Sequence, residues 1–146
     1  MTLKSFFWPL AFCMSFALLN CGDDDGDDGG ENPMDSEGVT FEQVNDSVFA
    51  QRCATAGCHV GNSPAGGMSM EVDQLASQVI GVDSGQKPEL KRVDPQNPEG
   101  SYLLKKIRGD EDIERARMPL GGNALSEAQI ALVRDWIAAG APIPPQ

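Results

Sequence analysis

Cys53-Ala54-Thr55-Ala56-Gly57-Cys58-His59 is the stretch on which the reading of this chain turns. Two thiols stand with four residues between them, and the only histidine of the 146 residues follows the second at once. A capped helix leads into the segment. Thr40 and Gln43 have the spacing of a capping box. Phe41, Val44 and Val48 recur at helical intervals, with Phe49 beside them, so the spacing predicts a short amphipathic helix running up to Cys53. Beyond the histidine, Gly61 to Gly67 passes through Asn, Ser, Pro and Gly and predicts a loop.

Further out, the pattern remains helical. Val72, Leu75 and Val79 predict a second helix over Glu71 to Val79, and Gly81 to Lys87 reads as loop. Arg92-Val93-Asp94-Pro95 predicts extended chain, because the residue before a proline avoids the helical region. Asn97-Pro98-Glu99 has the form of a helix start, and Leu103, Leu104 and Ile107 supply the buried stripe of that third helix. Gly109 to Gly122 is a long connection that carries Met118-Pro119. Ser126 and Gln129 form a second capping box. Ile130, Val133 and Ile137 line one face of the last helix, which Leu132 and Trp136 widen, and Gly140 and Pro142 end it. No run alternates as a strand does, so the expected class is all-α, with about four helices.

Charge and the N-terminal segment set the compartment. The net charge is -11, which argues against a nucleic-acid partner and suits basic protein partners. Eight of the 22 acids lie between Asp23 and Glu37, where there is no Lys or Arg. Residues 21–38 therefore read as a solvated, disordered Asp/Gly-rich tether, since such a stretch buries too little to offset its ordering entropy. No register in it meets the spacing of an EF-hand calcium loop. Residues 1–20 carry Lys4 and then an apolar run from Phe6 to Leu19, the layout of a signal peptide. Leu18-Leu19-Asn20-Cys21 resembles a bacterial lipobox, which implies cleavage before Cys21 and lipidation of that thiol. Export removes Cys13 and leaves Cys53 and Cys58 for the folded part, residues 39–146. Free thiols are unusual in an oxidising compartment, so the pair is expected to be disulfide-bonded, metal-bound or attached to a cofactor.

Two thiols followed directly by an imidazole are the groups that attach a c-type haem, in the motif C-x-x-C-H. Here the spacing is two residues longer, and Gly57 before Cys58 would ease the bulge. Cys53 and Cys58 are the candidate thioether anchors, His59 the proximal iron ligand and Met118 the distal one. A soft thioether ligand favours ferrous iron and raises the potential. Met68 and Met70 are read as core residues ahead of the second helix. Arg92, Arg115 and Arg117 are candidates to pair with the haem propionates. Two other readings of the cysteines remain open. One is a local disulfide in an exported domain. The other is zinc, which would need a fourth ligand beyond the two thiols and His59.

The order of these features is similar to the class I cytochrome c fold, and closer still to small cytochrome c-like domains of bacterial exported proteins. The segments that carry the resemblance are the Cys–Cys–His stretch, Val93-Asp94-Pro95 through Ser101-Tyr102-Leu103-Leu104, the Met118-Pro119 loop and Trp136-Ile137-Ala138-Ala139-Gly140-Ala141. It covers Phe41 to Ala141. It implies one covalent haem c, single-electron transfer with redox protein partners of the cell envelope, and a carrier rather than an enzyme. With the lipobox, it implies a membrane-anchored lipoprotein facing the periplasm or the cell surface. The opposing expectations are a haem-free, disulfide-stapled envelope domain that binds a protein or glycan, and a five-coordinate haem sensor or peroxidase-like protein.

Overall fold

In the computed structural model, residues 38–145 are described. The expected signal segment, the tether up to residue 37 and the lipidation of Cys21 lie outside the described residues. Among the described residues the chain is helical and has no strand, in keeping with the all-α expectation. Four α-helices occur: α1 (Phe41–Val44), α2 (Leu75–Gln78), α3 (Tyr102–Arg108) and α4 (Glu127–Ala138). A π-helical segment, Asn45–Cys53, continues α1, and single 3₁₀ turns lie at Ala65–Gly67 and Pro98–Gly100.

Both predicted capping boxes form. The Gln43 amide nitrogen donates to Thr40 Oγ1 at 3.3 Å, and Thr40 N–H donates to the Gln43 side chain at 2.9 Å. Ser126 and Gln129 repeat the arrangement at 3.2 and 3.0 Å. Each box satisfies two of the backbone donors that a helix start leaves free. At the other end of α4, Gly140 adopts φ 99°, its N–H donates to Ile137 O, and Ala141 N–H donates to Trp136 O. Glycine takes that left-handed backbone without strain, which ends the helix where the sequence predicts.

α4 packs against α1, the π segment, α3 and the Pro98–Gly100 turn. Trp136, fully buried, anchors the crossing. The Phe49 ring meets it edge-on at 5.5 Å, Phe41 lies tilted at 6.3 Å, and the indole N–H donates to Pro142 O at 2.9 Å. Val44, Val48, Leu104, Val133 and Ile137 fill the space around it. Burial of such side chains stabilises by about 1.5–3 kcal/mol each, which makes this crossing the main cohesive unit.

Three elements differ from the expectation, each for a local reason. The first helix widens after Val44 to i→i+5 hydrogen bonding, ending with Ala54 N–H on Phe49 O at 2.8 Å. Cys53, the last residue of this segment, packs at the edge of the core. The second helix is shorter than Glu71 to Val79. Residues 71–74 form a turn, and after Gln78 the chain extends so that Val79 and Ile80 pair with Val93. The third helix starts later than Asn97. Asn97 does cap a turn, accepting from Gly100 N–H at 3.1 Å. Ser101 is then extended, because it pairs with Lys91, and the first N–H groups of α3 donate to Lys91 O and Arg92 O. The predicted extended stretch at Arg92 to Pro95 thus serves as the N-terminal support of α3.

Candidate functional site

The segment after the π helix folds back on itself as a tight loop. Cys58 N–H donates to Thr55 O at 2.9 Å, and His59 N–H donates to Cys53 O at 3.1 Å. Gly57 sits at φ 79°, in the left-handed region that glycine takes without strain. Cys53, Cys58 and His59 are brought together by this loop. Both cysteines carry free thiols, Cys58 exposed and Cys53 half-buried. Burial raises the Cys53 thiol to about 11, with the nearby Cys58 adding to the rise and Arg52 opposing it. Cys53 is therefore a protonated thiol at neutral pH.

The histidine is held in a defined way. Its ring Nδ1 lies 3.0 Å from Met68 O. A carbonyl can only accept, so the bond requires the proton on Nδ1. The neutral ring then carries its free lone pair on Nε2, which is the form that binds a metal. Met70 N–H donates to His59 O at 2.8 Å, so the histidine backbone is also fixed to the segment that faces it. Met70 is fully buried and belongs to the core as expected, while Met68 packs on its margin.

Met118 comes from a separate part of the chain. It is half-buried and packs against the core, its N–H donates to Lys106 O at 2.9 Å, and its peptide bond to Pro119 is cis. Arg52, the residue before Cys53, reaches this loop. Its guanidinium donates to Asn123 O at 2.5 Å and lies 4.0 Å from where a Cβ on Gly122 would stand, with Pro119 Cβ 3.8 Å away on the same glycine. The Met118–Pro119 loop is thereby tied to the cysteine-bearing segment. Met118 and His59 are linked through these intermediaries and not by a direct bond.

Two of the three arginines considered for propionate pairing have protein partners. Arg92 Nη1 donates to Gln78 O and Gly67 O at 2.5 and 3.3 Å. Arg117 lays its stem over Gly109 and reaches Arg108 O at 3.4 Å. Arg115 is exposed at a left-handed φ of 59°. Among the described residues no three His, Cys, Asp or Glu side chains gather as a metal site.

Two residues of this site escape a sequence reading. Arg52 falls at the end of a helix and gives no sign of a partner 71 positions away. Lys106 is 7% exposed and donates from Nζ to Glu114 O and Ala116 O at 2.8 and 2.6 Å. Its signal was its place in the helical pattern, three after Leu103 and therefore on the buried stripe. No protein-family model matches the chain, and neither a curated protein nor a solved structure matches it.

Proposed function

We propose that this chain is an exported c-type cytochrome that carries one covalent haem and passes single electrons between redox proteins of the cell envelope. The observation that carries the reading is the His59–Met68 contact. It leaves Nε2 free for a metal, directly beside two unpaired thiols in the order that haem attachment uses. The donor set fits the group: two thiols for thioether links, an imidazole with a fixed tautomer, and a thioether on a separate, tethered loop. When bound, the haem supplies an iron that cycles between ferric and ferrous states by one electron.

The chain's own residues do the rest. Cys53 and Cys58 anchor the macrocycle so that it cannot dissociate. His59 gives the proximal nitrogen, with Met68 O holding the ring against rotation. Met118 would give a thioether sulfur to the same iron, and a haem held by both His59 and Met118 would leave no open position for a substrate. This favours a carrier over an enzyme and over a five-coordinate sensor. The acidic balance, strong between Asp23 and Glu37 and mild from Val39 onward, suits basic docking surfaces on the donor and the acceptor. Export and anchoring through Cys21 complete the proposal, on the strength of the Leu18-Leu19-Asn20-Cys21 segment.

The test is spectroscopic. His59→Ala abolishes the low-spin haem spectrum, and an unchanged spectrum contradicts the proximal assignment. Met118→Ala lowers the reduction potential and opens the iron to carbon monoxide. An unchanged potential with no gas binding assigns the distal position to another group. Cys21→Ser moves the protein out of the membrane fraction, and continued association contradicts the lipid anchor.

A further inference from the structure

We infer that Lys106 is the positioning residue for the distal ligand, the side chain that holds the backbone around Met118 in one place. This rests on the haem reading above and deepens it. The argument begins with cost. Lys106 is 7% exposed, and taking an ammonium out of water is expensive. An uncharged chain of the same length would fill the position without that cost. What the charge adds here is its pair of acceptors. Nζ donates to Glu114 O at 2.8 Å and to Ala116 O at 2.6 Å, and the residue's own carbonyl accepts from Met118 N–H at 2.9 Å. One residue therefore fixes positions 114, 116 and 118, the run that ends on the sulfur ligand.

Tyr102 completes the fastening from one turn earlier on α3. Its hydroxyl accepts from Glu114 N–H at 2.8 Å, and its ring centroid lies 6.0 Å from the ammonium. The helix benefits too. A helix end leaves its last carbonyls without partners, and here Met118 N–H takes that of Lys106 while Gly109 and Asp110 N–H take that of Lys105. The other fastenings of the segment are at its two ends: Asp110 and Asp112 pair with Lys105 and Arg108, Arg117 reaches Arg108 O, and Arg52 donates to Asn123 O. Of residues 109–122 Met118 packs against the core, whereas Leu120 is 70% exposed. A loop with so small an apolar footing keeps its shape through such hydrogen bonds, and charge-assisted ones are the stronger kind.

The experiment compares the full chain, Lys106→Met and Tyr102→Phe. Four quantities are read: covalent haem content, reduction potential, the rate of carbon monoxide binding to the ferrous form, and amide hydrogen exchange over 114–118. Lys106→Met is expected to retain its haem. Its potential falls, carbon monoxide binds at least about tenfold faster, and the Met118 amide exchanges at least about tenfold faster, the loss expected when charge-assisted bonds go. Tyr102→Phe shifts the same quantities in the same direction by less. Lys106→Met with full haem and an unchanged potential, gas-binding rate and exchange overturns the inference. If Lys106→Met does not fold, Tyr102→Phe decides, and wild-type values for that variant overturn it. A wild-type chain without covalent haem contradicts the haem reading instead. The Met118 amide then still tests the clamp, and equal exchange in wild type and variant overturns it.

Discussion

The two thiols of the candidate site should differ sharply in reactivity in the haem-free chain. Cys53 is half-buried at the edge of the core, and its thiol is raised from 9.0 to about 11, mainly by burial. The thiolate is the species that reacts with an alkylating reagent. At about pH 8, a thiol with the ordinary value is roughly one-tenth ionised and one at about 11 roughly one-thousandth, so Cys53 loses about 100-fold in rate from ionisation alone. Cys58 is exposed and has no such shield. The assay is iodoacetamide labelling followed over time by peptide mass spectrometry, at several pH values. Cys58 labels first. The Cys53 rate climbs about tenfold for each pH unit from about 7 to about 10, without a plateau. Equal labelling of both cysteines, or a Cys53 rate that levels off below about pH 9, refutes the burial argument. Arg52→Gln removes the one charge that lowers this thiol, so it slows Cys53 further.

Other consequences concern stability. Trp136→Ala removes the centre of the α1–α4 crossing and should cost about 3–5 kcal/mol by denaturant unfolding, whereas Leu120→Ser, at a 70% exposed position, should stay within about 0.5 kcal/mol. Gly109→Ala places a Cβ at φ 80° and against the Arg117 stem, and should cost about 1 kcal/mol, with Gly109→Asn costing less. Arg108 holds the Glu99 and Asp110 carboxyls below their ordinary values through its side-chain hydrogen bonds. The unfolded chain then takes up those protons first on acidification, so the stability they confer is present above about pH 5 and is lost as pH falls further through their folded-state values. The pairs lie at the surface, with Glu99 largely exposed and Asp110 half-buried, so the effect is within about 1 kcal/mol, and Arg108→Gln should flatten the acid limb of a stability-against-pH curve.

Much of the helical frame was legible because it is set by local chemistry. The Thr40 and Ser126 boxes, the Gly140 stop and the stripe through Ile130, Val133 and Ile137 depend on residues within a turn of one another. The departures arise where distant backbone competes. Val79 leaves the helical pattern to pair with Val93, and Ser101 delays α3 because Lys91 occupies its N–H neighbours. The widening of the helix ahead of Cys53 has no counterpart in the hydrophobic spacing, which fits an ordinary helix equally well. At the candidate site, Cys53, Cys58, His59 and Met118 stand out in the sequence by residue type and order. Their supports do not, because Met68 O, Lys106 O and Asn123 O are backbone acceptors that any residue would supply. Lys106 was the exception, a charge in a buried register.

The central claim, covalent haem on Cys53 and Cys58, is tested most directly by one absorption spectrum. The protein is purified from its native host, denatured, and extracted with acidified acetone before it is measured. The account predicts a haem band that remains with the protein, at one haem per chain. A colourless protein, with Cys53 and Cys58 found joined as a disulfide by mass spectrometry, would contradict it and identify a stapled envelope domain instead.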